Sequence, residues 1–150
     1  MALTTGQPIF ASGTATCETQ TAANTAASLK PRECLMFALS DETTALTTGT
    51  AKLSVRMPYA FTLTAVRANV VTAPTGAAII VDINEGDAFT TILSTKITID
   101  ATEKTSTTAT APVISDTTIA DDALITFDID QIGSVIAGAG LKVSLIGYRT

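Results

Sequence analysis

Single-residue alternation of apolar and polar side chains constrains the fold of this chain more than any other feature. Ile125, Phe127 and Ile129 are each followed by a polar residue, and the same alternation returns from Leu141 to Leu145. Successive side chains of a β-strand point to opposite faces of the sheet, so this pattern predicts strands with one buried face.

Other segments repeat the alternation between turn residues. The predicted strands cover residues 52–57, 61–70, 77–83, 89–94, 96–100, 125–130 and 141–145, with a further extended stretch near 104–108. The apolar phase shifts by one residue inside 61–70, which predicts a β-bulge near Ala65 and Val66. Asn84 to Asp87 is a predicted hairpin loop.

The remaining connections are predicted as turns and loops. Residues 109–122 read as a long loop with at most a short strand at Val113 and Ile114. Asp100 with Glu103 matches either one helical turn or a plain β-turn. About eight short strands at this spacing favour a sandwich or barrel, and we expect an all-β, antiparallel, jelly-roll-like β-sandwich over residues 33–150.

The first 32 residues differ in composition from the rest. They are dominated by Thr, Ala, Ser and Gly, and their one concentrated apolar patch is Pro8-Ile9-Phe10. Such a stretch has too little apolar surface for a core of its own. We expect residues 1–32 to be an extended arm whose patch binds a partner; the alternative is an integral first strand of the sandwich.

Composition narrows the class of protein. The 150 residues suit one domain, and the net charge is -5 with nine scattered Lys and Arg, so we expect no direct binding of nucleic acid. No apolar run approaches the roughly 18 residues of a membrane span, and the first residues do not resemble a secretion signal. We therefore expect no membrane partner.

Catalytic and cofactor motifs are missing from the sequence. Histidine is absent, which excludes Ser-His-Asp and Cys-His chemistry, and the glycines match no phosphate-binding loop. Two cysteines without close spacing do not suit zinc. We expect no enzyme activity, no catalytic residues, no cofactor and no metal site.

Acidic residues form two loose clusters. One comprises Asp82, Glu85 and Asp87; the other comprises Asp116, Asp121 and Asp122; Asp128 and Asp130 lie on the outward face of a predicted strand. Loops of this kind can bind calcium, but neither cluster has a known coordinating spacing. We expect solvated surface acids, and no pair is selected for glycoside hydrolysis.

Cysteines and aromatic residues give weaker signals. Cys34 lies within an apolar run, which favours a buried thiol over a disulfide with Cys17. Tryptophan is absent, so a sugar-stacking platform would have to use other exposed rings. The candidates are Tyr59, Tyr148, Phe10 and Phe89.

From about Glu33 onward the chain resembles a family of small virion proteins of tailed bacteriophages. The segments that carry the resemblance are Ala45-Leu46-Thr47-Thr48-Gly49-Thr50, Arg56-Met57-Pro58-Tyr59, Val81-Asp82-Ile83-Asn84-Glu85-Gly86, Ile92-Leu93-Ser94-Thr95-Lys96, Ile97-Thr98-Ile99-Asp100 and Gly140-Leu141-Lys142-Val143. The Arg-Met-Pro-Tyr turn and the Asp-Ile-Asn-Glu-Gly hairpin are the most specific.

The resemblance implies a jelly-roll-like capsid cement or decoration protein. Its partners would be the major capsid protein and itself, as a homotrimer. It would lie on the capsid surface of a virion assembled in the host cytoplasm. The alternative is a tail-fibre or receptor-binding protein that recognises a host glycan or receptor through the loops at 84–88 and 109–122.

Overall fold

A computed structural model describes residues 31–150, which form strands joined by turns and loops. The strands are β1 (Glu33–Ala38), β2 (Gly49–Arg56), β3 (Phe61–Asn69), β4 (Ile79–Glu85), β5 (Thr90–Thr91), β6 (Leu93–Thr95), β7 (Ile97–Ile99), β8 (Val113–Ile114), β9 (Thr118–Ile119), β10 (Leu124–Gln131) and β11 (Lys142–Arg149). Within these residues no helix is long and apolar enough to span a membrane.

Two antiparallel sheets contain the longer strands. Sheet 1 has the order β1-β11-β3-β9, and sheet 2 has the order β2-β10-β4-β5, with β7 also paired to β4. A separate small ladder joins β6 and β8. The predicted all-β, antiparallel class is confirmed, with eleven strands in place of about eight because several are only two or three residues long.

Strand pairs are nested along the sequence. The first strand pairs with the last (β1 with β11), β2 pairs with β10, β3 with β9, and β4 with β5. The two halves of the described chain therefore run antiparallel beside each other from the β4–β5 hairpin to the β1–β11 pair. Together they form one long two-stranded ribbon. Successive pairs of that ribbon fall alternately into sheet 1 and sheet 2.

The core lies between the inner faces of the two sheets. Ile125, Phe127 and Ile129 of β10 are buried, as are Val143 and Leu145 of β11 in the other sheet. These residues belong to one apolar cluster, which confirms their predicted inward orientation and the sandwich character of the domain. Other members of the cluster include Phe61, Leu63, Ile79, Val81, Ile83 and Leu141.

A β-bulge interrupts β3 where the apolar phase shifts. Ala65 pairs with Ile146 and Leu63 pairs with Gly147, which leaves Thr64 without a register partner in β11. A Cβ atom added at Gly147 would lie 2.0 Å from the Thr62 carbonyl oxygen, so this close approach requires glycine. The predicted bulge is confirmed, one residue before its expected position.

Connections follow the predicted turn chemistry in most places. Residues 86–89 form the loop of the β4–β5 hairpin. The N–H of Glu103 donates to the Asp100 carbonyl at 3.0 Å, closing a plain turn and not a helix. The stretch at 104–108 forms only an isolated bridge between Thr105 and Asn69, so the extended segment expected there is not a strand.

The prediction that Cys34 is buried is wrong. Leu35 and Phe37 of β1 face the core, and the alternation of the strand therefore turns Cys34 outward. Because β1 is an edge strand of sheet 1, no neighbouring strand within residues 31–150 covers it on that side. Cys34 is an exposed free thiol.

Removing a core ring provides a test of this architecture. Phe127 is fully buried, and its ring centroid lies 5.3 Å from that of Phe37 in the opposite sheet. We expect Phe127→Ala to lower the free energy of unfolding by about 3 to 5 kcal/mol, since the cavity would lie where the sheets meet. Urea denaturation measures this; a midpoint equal to that of the wild type would contradict the assigned core.

Candidate functional site

The predicted partner-binding patch, Pro8-Ile9-Phe10, lies outside the described residues, as does nearly all of the predicted arm. Its role stays a prediction. Within residues 31–150 the surface offers three features with binding potential: a groove beside β3, a polar network on sheet 2, and a pair of acidic loops.

A groove opens where β3 loses its neighbour. At one end β3 pairs with β9, and at the other the N–H of Ala68 donates to the hydroxyl of Ser106 at 2.9 Å. The loop between Ser106 and Thr117 arches away from β3 over the intervening residues. It leaves a groove of about 590 Å³ lined by Leu63, Thr64, Ala65, Ala111, Pro112, Val113, Ile114 and Thr117.

The groove has the chemistry of a contact surface. Its lining is apolar apart from threonine hydroxyls, and a neighbouring hollow of about 210 Å³ adds Arg67 and Ser106. Neither lining contains a carboxylate or a thiol, so the residues here can accommodate an apolar side chain or an extended peptide but supply no general base. The one indirect sign of the groove in the sequence is the uncharged loop segment Ala109-Thr110-Ala111-Pro112.

Asp82 is not a solvated surface acid, as the sequence suggested, but a buried one. Its side chain is only 6% exposed, and the Lys96 ammonium lies 2.9 Å from Oδ2. The other carboxylate oxygen, Oδ1, accepts hydrogen bonds from the Thr91 hydroxyl at 2.6 Å and from the N–H of Ile83 at 2.8 Å. The Asp82 carboxylate can be buried because each of its two oxygens has a hydrogen-bonding or charged partner.

Lys96 joins two strands of sheet 2. Its ammonium lies 2.6 Å from Asp130 of β10 as well as 2.9 Å from Asp82 of β4. The hydrogen bonds to Asp130 and Asp82 raise the pKa of Lys96, so the amine stays protonated and acts as a counter-ion, not as a nucleophile. On the same face, Asp128 accepts from the N–H of Ala51 at 2.7 Å.

The two acidic clusters predicted from the sequence meet at one point. Burial raises the pKa of Glu85, and the charge of Asp116 raises it further, while the N–H of Ala120 acts in the opposite direction. Glu85, which directly precedes the hairpin loop at 86–89, therefore lies beside Ala120 of the segment 109–122. Asp122 pairs at the surface with Arg56, 3.7 Å away. No group of three or more His, Cys, Asp or Glu side chains in the described part of the chain is placed to hold a metal ion.

The aromatic candidates have different surroundings. Tyr59 is half-buried; its hydroxyl donates to Glu33, and the Arg149 guanidinium lies 3.7 Å from its ring centroid. Tyr59 therefore connects Glu33, near the start of the described domain, with Arg149, near its end. Phe89, in the hairpin loop, is 52% exposed and is available to a ligand. Phe10 lies outside the described residues.

Comparison of the chain with protein-family models, with curated proteins and with solved structures gave no match.

Two lysines test how much the buried ion pair contributes. We expect Lys96→Met to lower the free energy of unfolding by about 2 to 3 kcal/mol, since it leaves the Asp82 carboxylate buried without its counter-charge. Lys142→Met is the matched control because its partner Glu42 is 58% exposed; its cost should stay below about 1 kcal/mol. Equal losses in urea denaturation would contradict the special role of Lys96.

Glu85 should make stability depend on pH. Its raised pKa means that the folded state favours the protonated form, so stability falls as pH rises from the unfolded pKa of 4.5 through the higher folded pKa. We expect Glu85→Gln to raise the melting temperature at pH 7, with the gain shrinking as the pH falls towards 4.5. Melting curves across this range measure it, with Asp87→Asn on the same loop as a control that should give no such gain.

Proposed function

We propose that this protein is a structural protein of a tailed bacteriophage virion, a cement or decoration protein that binds the outer surface of the head and stabilises the shell. The nested strand pairing is the observation that carries the proposal. The proposal also rests on the resemblance of residues 33–150 to small virion proteins.

The nested pairing supports a jelly-roll description of the domain. A jelly roll is a two-sheet antiparallel sandwich of eight strands, and it is common in viral capsid and lectin domains. Here each sheet takes every other pair of the nested ribbon: β1·β11 and β3·β9 lie in sheet 1, while β2·β10 and β4·β5 lie in sheet 2. The short strands β6, β7 and β8 are additions to that plan.

In this proposal, exposed apolar residues attach the protein to the shell. The proposed partners are the major capsid protein and other copies of this chain, as a homotrimer, with Pro8, Ile9 and Phe10 of the arm (residues 1–32) as partner-binding residues. Two loops at one end of the described domain also support contact with a protein surface. They expose Val71, Val135 and Ile136, and Val135 is the most exposed of these at 79%.

Those loops are held in place by hydrogen bonds. The N–H of Thr75 donates to the Ile136 carbonyl at 2.9 Å, and the N–H of Val135 donates to the Thr75 carbonyl at 3.0 Å. The Thr75 hydroxyl also accepts from the N–H of Ile136. A fixed apolar loop loses little conformational entropy on binding, which favours docking. The proposed role needs no catalysis, cofactor, nucleic acid or membrane.

A tail-fibre or receptor-binding protein is the second candidate. The observation in its favour is that Phe89 of the hairpin loop at 86–89 is 52% exposed, while the N–H of Gly86 in the same loop donates to the carbonyl of Leu124, just after the segment 109–122. Loops gathered at one end of a sandwich commonly form ligand-binding surfaces. In this case the partner would be a host glycan or receptor.

Copy number per particle separates the two candidates. We expect quantitative mass spectrometry of purified virions to find the protein in hundreds of copies, in a fixed ratio to the major capsid protein, because a cement protein repeats with the symmetry of the shell.

A tail protein measured in the same samples provides the internal control. A count equal to that of the tail protein would reject the cement proposal in favour of the receptor-binding one. Absence from washed particles would reject both.

A further inference from the structure

Strand edges attract other strands, and three of the four edges of the two sheets carry features that oppose such pairing. The strands along the open side of β4, β5 and β7, are two and three residues long. At the second edge of sheet 1, β9 is two residues long, and beyond it β3 carries a β-bulge and the exposed Arg67. The edge strand β2 carries Lys52 and Arg56 facing outward and has a left-handed residue, Ala51, with φ 48°. Short length, charge and local distortion are the usual ways in which natural sheets block edge-to-edge association.

The fourth edge, β1, is six residues long, has no left-handed residue, and its one charged side chain, Glu33, is bound by the Tyr59 hydroxyl. Its six residues pair with β11 in an unbroken register, so the strand is regular along its whole length. Residues 34–38 include no charged residue and no proline. The outward side chains are Cys34, Met36 and Ala38, all exposed, and Met36 is 61% exposed.

The backbone of β1 also has N–H and C=O groups that face away from β11. The N–H of Leu39 donates to the Leu141 carbonyl at 2.8 Å, which places the odd-numbered residues on the β11 side. Backbone groups of an edge strand alternate between its two sides, so the N–H and C=O of Cys34, Met36 and Ala38 point to the open edge. No strand within residues 31–150 pairs with that edge.

We propose that the open edge of β1 pairs antiparallel with β1 of a second copy of this chain, so that sheet 1 continues across two copies. A strand edge is complementary to its own copy under twofold symmetry, and the uncharged segment 34–38 meets itself without like-charge repulsion. Three residues of each copy then each donate one N–H across the contact. This pairing goes beyond the virion role and is separate from the threefold association proposed above.

Oligomeric state in solution tests the proposal. The full-length protein, kept in reductant so that Cys17 and Cys34 cannot form disulfides, is followed by analytical ultracentrifugation over a range of concentrations. We expect dimers that dissociate on dilution, and Met36→Lys should raise the dissociation constant at least about tenfold, since a lysine on an edge strand opposes pairing. Ser54→Lys is the matched control, because Ser54 is also exposed but lies on β2 of sheet 2; it should leave the constant unchanged.

Amide hydrogen exchange gives a second readout that does not depend on a variant. The amides of Met36 and Ala38 should be protected at high protein concentration and should exchange on dilution, while the Leu39 amide stays protected throughout. Protection that ignores concentration would mean that the chain covers its own edge and would overturn the proposal. A monomer at every concentration, or an oligomer that Met36→Lys does not weaken, would also overturn it, without bearing on copy number in the virion.

Discussion

Contact between the inner faces of the two sheets fixes the rest of this domain. Phe127 lies near the middle of that contact, in a strand flanked by β2 and β4, and its ring packs against Phe37 from the opposite sheet. Once Phe127 points inward, the two-residue period determines which side chains of β10 and its neighbours face water. The outward face of sheet 2, which carries Asp82 of β4 with Asp128 and Asp130 of β10, follows from this one orientation.

Local pattern was sufficient to predict the strands and their faces. The alternation in β10 and β11 and the phase shift that marks the bulge in β3 were readable because each is a property of adjacent residues. The burial of Asp82 and the exposure of Cys34 were not readable. Alternation tells which face a residue occupies, but what covers that face depends on strands distant in sequence: Lys96 and Thr91 cover Asp82, whereas the edge position of β1 leaves Cys34 open.

The candidate surfaces were harder still to anticipate. The groove beside β3 exists because a loop leaves the strand at Ser106 and returns at Thr117, and neither contact has a signature in the sequence. Asp82, by contrast, was visible in the sequence but was given the wrong role. Lys96 and its two aspartates join neighbouring strands of sheet 2, so these charges stabilise the scaffold on which the uncharged contact surfaces are placed.

Nested pairing also determines the order in which the chain can fold. Glu33 lies opposite Gly147, so the first and last strands must find each other across almost the whole domain. Pairings between residues so distant in sequence make folding slow, because the entropy of closing the intervening loop is lost before the contact forms. Among the paired strands of residues 31–150, only the β4–β5 hairpin is local. We infer that structure spreads outward from that hairpin, and that on the ribosome β1 remains unpaired until β11 has emerged, so sheet 1 is completed only at that point.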